Sequence, residues 1–325
     1  MTNKPDLGAL FGAKKSKTFL GLDACNDLDF LAAPMAVIGV PCASPYRSVG
    51  AYCRNGPNAL RQAMSPMSAN LAHHNFDVGG MIFPEERLAA VDCGDLPYDE
   101  NDAPGNRKII RQAIEKIISK GAVPIVLGGD DSVPIPMLQA FAGAGKFTIL
   151  QIDAHIDWRD EHMGERMGLS SNMRRASEMQ HVEHIIQVGA RGTGSARPND
   201  FQDALDWGVK FVTAYELHLD GIGSVIKLIP ENSTVIICFD IDALDPTIVP
   251  GVIGRAPGGL TYYQAVDLIK GAAERARIAA IDFVEFMPER DIDGLGALTT
   301  AQLVTTALGV IARQAQFAAD TEPDQ

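Results

Sequence analysis

Short apolar runs recur along this chain of 325 residues, each ending at or close to a Gly, Asp or Asn. They fall at residues 35–40, 88–91, 123–127, 147–152, 184–188, 210–213, 235–239 and 278–283. Several are apolar throughout rather than alternating, which is the pattern of a strand covered on both faces, and this feature constrains the fold most. Strands of that kind need helices above and below them, and the sequence between the runs supplies helical spacing. Ile110, Ile114, Ile117 and Ile118 mark a helix over 106–120 that Gly121 stops. Thr261 with Gln264 reads as a capping box opening a helix that runs to about residue 275. A third amphipathic helix is expected over 298–314. The alternation predicts a doubly wound α/β chain with about eight mostly parallel strands. It is expected to form one domain over 1–325, with 1–33 as an N-terminal extension and 315–325 as a flexible tail.

Hydrophobic residues make up 46% of the chain and charged residues 21%, enough apolar material for a large core. Lys and Arg number 28 and Asp and Glu 41, a net charge of −13. Such a surface repels phosphate backbones and anionic lipid, so nucleic acid and membranes are not the expected partners. A cationic small molecule is. Five cysteines, odd in number and without a CxxC pair, together with an N-terminus lacking a signal-peptide core, point to a reducing cytoplasm.

In an open α/β sheet, ligands collect at the carboxyl ends of the strands. Four expected strand ends here carry acids: Gly128-Gly129-Asp130-Asp131-Ser132, Asp153-Ala154-His155-Ile156-Asp157, Asp240-Ile241-Asp242, and Val284-Glu285. Asp153, His155 and Asp157 alternate with apolar residues, as do Asp240 and Asp242, and in extended backbone a period of two puts them on one side. Two like charges ~4 Å apart repel by about 4 kcal/mol at an effective dielectric near 20. Such a cluster requires protons or cations. Oxygen-rich donors with an imidazole suit hard to borderline divalent ions, and shared carboxylates suggest two of them.

These motifs, with Ala256-Pro257-Gly258-Gly259-Leu260-Thr261-Tyr262 and Glu285-Phe286-Met287-Pro288-Glu289-Arg290-Asp291, resemble those of the ureohydrolases, the family of arginase, agmatinase and guanidinobutyrase. The resemblance runs from about Val37 to about Leu308 and is closer to agmatinase in the PGGLTY stretch. It implies a three-layer α-β-α sandwich, a binuclear metal centre, Mn²⁺ first and Ni²⁺ second, and assembly as a trimer or hexamer. Carried over by motif, Asp153 and Asp240 would bridge the ions, Asp131 and Asp157 would complete one site, and His155 and Asp242 the other. Glu285 would pair with a substrate guanidinium. The implied reaction is hydrolysis of a guanidino or amidino compound to urea, or a substituted urea, and an amine.

The chain departs from the family pattern in two places. The family writes GGDHS where Asp131 stands, and its SHGT loop falls near Met167-Gly168-Leu169-Ser170-Ser171, with Leu169 at the histidine. His162 is the nearest candidate to replace that histidine, which makes Glu285, Asp157 and His162 the candidate catalytic residues. A non-catalytic subunit of a hetero-oligomer with a related chain is the alternative. The loops expected to read the rest of the substrate are 159–172 and 247–256. The glycines of Gly189-Ala190-Arg191-Gly192-Thr193-Gly194 have the wrong spacing for a dinucleotide fingerprint.

Overall fold

The computed structural model describes residues 6–14, 16–84 and 89–320. Its strands are β1 (Asp23–Ala24), β2 (Met35–Val40), β3 (Ala90–Asp95), β4 (Val123–Gly128), β5 (Phe147–Ile152), β6 (Val182–Val188), β7 (Lys210–Val212), β8 (Thr234–Asp240) and β9 (Arg277–Val284). They form one sheet in the order β1-β3-β2-β4-β9-β8-β5-β6-β7, parallel at every pairing. Side chains alternate across it. On β4, Ile125 and Leu127 join a core shared with α1 (Gly56–Met64), α3 (Tyr262–Arg275) and α4 (Leu295–Asp320), while Val126 joins a second core shared with α2 (Ala103–Ser119). This is the three-layer arrangement. Each fully buried Ile or Leu in these cores contributes roughly 1.5–3 kcal/mol.

The expected elements are present with small changes of boundary. Thr261 and Gln264 form the capping box reciprocally at the start of α3. Strand β1 is the ninth strand: two residues have no readable period, and pairing to Val91 and Asp92 defines it. The run at 88–91 becomes β3, which continues through Asp92 to Asp95; residue 88 lies outside the described residues. An acid there reads as a strand end, but Asp92 is buried because Arg61 donates to both of its carboxylate oxygens, at 2.8 and 2.9 Å, and Phe19 N donates at 2.6 Å. Helix α4 runs on through Asp320, and the end of the expected tail, 321–325, lies outside the described residues. Its stretch Leu295–Gln314 is long and apolar enough to cross a membrane, but 78% of its most apolar window is buried inside the fold, so it is a core helix.

The strand order has one consequence for function. The strands that carry the acidic termini, β4, β9, β8 and β5, are four consecutive neighbours in the middle of the sheet. Because all are parallel, their carboxyl ends emerge at the same edge.

Candidate metal centre

At the end of β5, Asp153 is buried and its Oδ1 accepts from His155 N at 2.6 Å. Gln151 Nε2 donates to Asp153 Oδ2 at 2.7 Å and to Asp157 Oδ2 at 3.3 Å, fixing the two carboxylates relative to the strand. The imidazole Nδ1 of His155 lies 3.1 Å from Asp242 Oδ2 and 3.5 Å from Asp153 Oδ1. At the end of β8, Asp240 Oδ1 accepts from Asp242 N at 2.7 Å, and Asp242 Oδ1 accepts from Ala154 N at 3.1 Å, tying β8 to β5. At the end of β4, Asn172 Nδ2 donates to both the main-chain oxygen and the carboxylate of Asp131. Asp130 turns away instead, accepting from Ser44 N and from Ser132, and so shapes the loop.

Two triads of donor atoms result, Asp153–His155–Asp242 and Asp131–Asp153–Asp240, each with all its atoms within 4.8 Å of one another, and Asp153 belongs to both. Asp157 stands in neither triad but faces Asp131 and Asp153 at hydrogen-bonding range. Burial and neighbouring carboxylates push the carboxyls of Asp131, Asp157 and Asp240 well above the ordinary range. Asp242 is raised by burial and by Asp153. Asp153 goes the other way, because hydrogen bonds from His155 outweigh its burial. The same bonds to Asp153 and Asp242 outweigh the burial of His155 and push it up to about 12. A buried set of oxygen donors whose charges cannot coexist, with one imidazole among them, matches the donor chemistry of hard divalent ions.

Glu285 closes the group from β9. It is buried, accepts from Tyr52 Oη at 2.8 and 2.9 Å and from Asp131 N at 2.9 Å, and is pushed up to about 8 by burial and by Asp130. Glu285 and Asp157 both have positive φ, +70° and +43°. Such backbone costs on the order of 1–3 kcal/mol at a non-glycine residue and persists where the surroundings impose it. Gly254 fits against this group because a Cβ would come within 2.9 Å of His155 Cε1 and 3.0 Å of Asp242 Oδ2.

Above these residues opens a cavity of about 220 Å³, with Asp131, Asp157, Asp240, Asp242 and Glu285 at its acidic floor. Leu169, where the family motif has histidine, lines its wall beside Ser170. His162 is not brought to this cavity. Its ring packs edge-on to Tyr46, centroids 5.4 Å apart, and its Nδ1 lies 2.8 Å from Arg159. Of the two loops expected at the mouth, Arg159, Leu169 and Ser170 come from the first and Ile253 and Gly254 from the second. A third segment, Gly194, Ser195, Ala196 and Arg197, and Asp200 behind it, was not legible as part of the site. Neither were Tyr52 and Gln151, which carry no motif, and although Asn172 closes the first expected loop, its bond to Asp131, 41 residues away, was not foreseen.

Comparison with known proteins bears on this geometry. Residues 33–309 match the Arginase family. The mitochondrial agmatinase of Gallus gallus is 31% identical over 282 residues, covering 85% of this chain and 80% of that protein. The mitochondrial guanidino acid hydrolase of Homo sapiens is 30% identical over 275 residues, covering 83% and 76%. In fold, the proclavaminate amidino hydrolase of Streptomyces clavuligerus superposes with a TM-score of 0.82 over 93% of this chain and 99% of that one, at 24% identity.

Proposed function

The chain belongs to the arginase family, in its agmatinase-like branch, and from that premise we propose that it splits a guanidino compound at a centre of two divalent ions. It is a hydrolase of amidino C–N bonds. The reaction proposed takes one guanidinium cation and one water to urea and a protonated amine. The observation that carries the reading is Asp153, common to two donor triads at the floor of a cavity that Glu285 also lines.

In this reading Asp131, Asp153, Asp157 and Asp240 hold one ion, and Asp153, His155, Asp240 and Asp242 hold the other, with Mn²⁺ the first candidate and Ni²⁺ the second. Bound there, the ions balance the carboxylates and supply the Lewis acidity that makes water a nucleophile at neutral pH. Glu285 takes the substrate guanidinium, since two carboxylate oxygens match two parallel N–H donors. Tyr52 and Asp131 N hold that carboxylate in place, and the cation it receives offsets the burial that disfavours its charge. Asp157, the floor carboxyl outside both triads, also carries a proton to the departing amine, because Leu169 has none to give. A single domain, a cytoplasmic location and assembly as a homo-oligomer belong to the same proposal. Five free cysteines support the compartment.

A panel of guanidino compounds, assayed for urea and amine release with Mn²⁺ and Ni²⁺ separately, tests the reading. Urea release with about two ions per chain is the expected result. No release with either metal, and no ions retained, would leave a non-catalytic subunit in its place.

A further inference from the structure

Above its acidic floor, the cavity carries arginine at its mouth. Arg159 and Arg197 both line it, and they differ in their partners. Arg197 is committed, with Nε and Nη2 donating to Asp200 at 2.5 and 3.0 Å. The neighbouring arginines are committed as well: Arg166 and Arg175 to Asp160, and Arg174 to Asp203. Among the described residues, no carboxylate lies in ion-pair range of Arg159, in a chain with 41 acids against 28 bases. Other arginines without an acidic partner, such as Arg191 and Arg313, spend their donors on main-chain oxygens, whereas Arg159 faces the cavity above the acidic floor.

Its position is also fixed. The Arg159 main-chain N–H donates to Ser170 O at 3.0 Å, joining two segments of the mouth. Its Nη1 donates to His162 Nδ1 at 2.8 Å, and the imidazole is in turn packed edge-on against Tyr46. A neutral imidazole is the form that accepts this bond, and burial together with Arg159 and Arg197 favours that form. His162 therefore orients Arg159 without cancelling its charge.

Resting on the hydrolase reading above, we propose that Arg159 receives the carboxylate of an ω-guanidino acid whose guanidinium lies against Glu285, so that this enzyme selects guanidino acids over guanidino amines. The two ends of such a substrate meet the two charges of the cavity. Arg159 is a specificity residue in this account, and His162 is its positioning residue.

Three compounds of similar length separate the possibilities: 4-guanidinobutyrate, 4-guanidinobutylamine and butylguanidine, with anionic, cationic and uncharged tails. The wild-type protein is expected to favour the acid over the amine in kcat/KM by roughly 10- to 100-fold, the scale of one hydrogen-bonded charge pair. Arg159→Ala should collapse the ratio of acid to butylguanidine, Arg159→Lys should keep part of it, and Arg159→Glu should invert the preference toward the amine. His162→Phe keeps a ring but removes the acceptor, and should raise KM for the acid more than it lowers kcat. Calorimetric binding of 4-guanidinobutyrate to the metal-free protein should weaken in Arg159→Ala by a similar factor, independent of turnover. An unchanged acid-to-butylguanidine ratio in Arg159→Ala overturns the proposal. So does a wild-type preference for the amine, which would assign the tail to Asp200. In both cases urea release continues and the hydrolase reading stands; absence of urea from all three compounds with either metal would overturn both.

Discussion

At the floor of the cavity, Asp131, Asp240, Asp242 and Glu285, with Asp153 buried beside them, emerge from the ends of four strands whose parallel neighbours hold the backbone on both sides. At its mouth, Arg159, Ser170, Ser195 and Arg197 are carried by loops, and Arg197 is largely exposed. The floor is buried, negative and cross-braced, with Gln151, Ala154 N, Asp131 N and Asn172 each fixing a carboxylate of the group. The mouth is looser and carries positive charge. Chemistry that depends on atoms a few ångströms apart requires the first kind of support. Recognition of a substrate tail tolerates the second, and loops there can change while the floor stays constant.

That contrast makes substitutions at the floor general in effect and those at the mouth selective. Asp153→Ala or Asp240→Ala should reduce kcat/KM for every guanidino substrate by more than ~10²–10³-fold, the scale at which one preorganised electrostatic contact is lost. Circular dichroism should be unchanged, and full activity in either variant would break the distinction. Asn172→Ala is expected to have an intermediate effect. With the donor to the Asp131 main-chain oxygen and Oδ2 gone, affinity for the divalent ion should fall by about 10–100-fold in a metal-buffer titration, as for other residues that orient a ligand. An unchanged affinity would mean that Asp131 needs no support.

The smallest effect is expected in the stability of the metal-free protein. The carboxyls of Asp131, Asp157, Asp240 and Asp242 are raised, and Glu285 is raised to about 8, so the folded chain binds more protons than the unfolded one above the ordinary carboxylate range. Stability from these groups is present below about pH 4 and is lost as pH rises toward about 8. His155, raised to about 12, acts in the same direction above its ordinary value. Tm measured without metal should therefore fall across this window, by about 2–4 °C for each kcal/mol. Saturating Mn²⁺ should flatten the slope. A metal-free Tm that rises from about pH 5 to about pH 8 would show that the floor is not electrostatically crowded.

Much of the floor is legible in the chain itself. The period-two spacing of Asp153, His155 and Asp157, and of Asp240 and Asp242, follows two apolar runs, so local geometry announces one-sided acids at strand ends. The mouth has no comparable signal. Arg197 lies three residues past the glycine-rich stretch ending at Gly194 and belongs to no motif, and His162 reads as a proton carrier until its ring is found against Tyr46 and Arg159. Asp92 shows the same limit in the core, since the acid that reads as a strand end is neutralised by Arg61 from a helix 31 residues away.

Strand and helix periods and the motifs at the strand ends depend on neighbours within a few residues, so the sequence by itself determined the layered α/β architecture and the acids at the sheet edge. Only the tertiary structure decided that β4, β9, β8 and β5 would lie side by side, that Tyr52 would brace Glu285, and that Arg159 would face the cavity with no acidic partner among the described residues. Those outcomes depend on segments separated by tens to hundreds of residues. No local period or propensity encodes such a meeting; it is set by which packing of the whole chain buries the most apolar surface while pairing its buried charges.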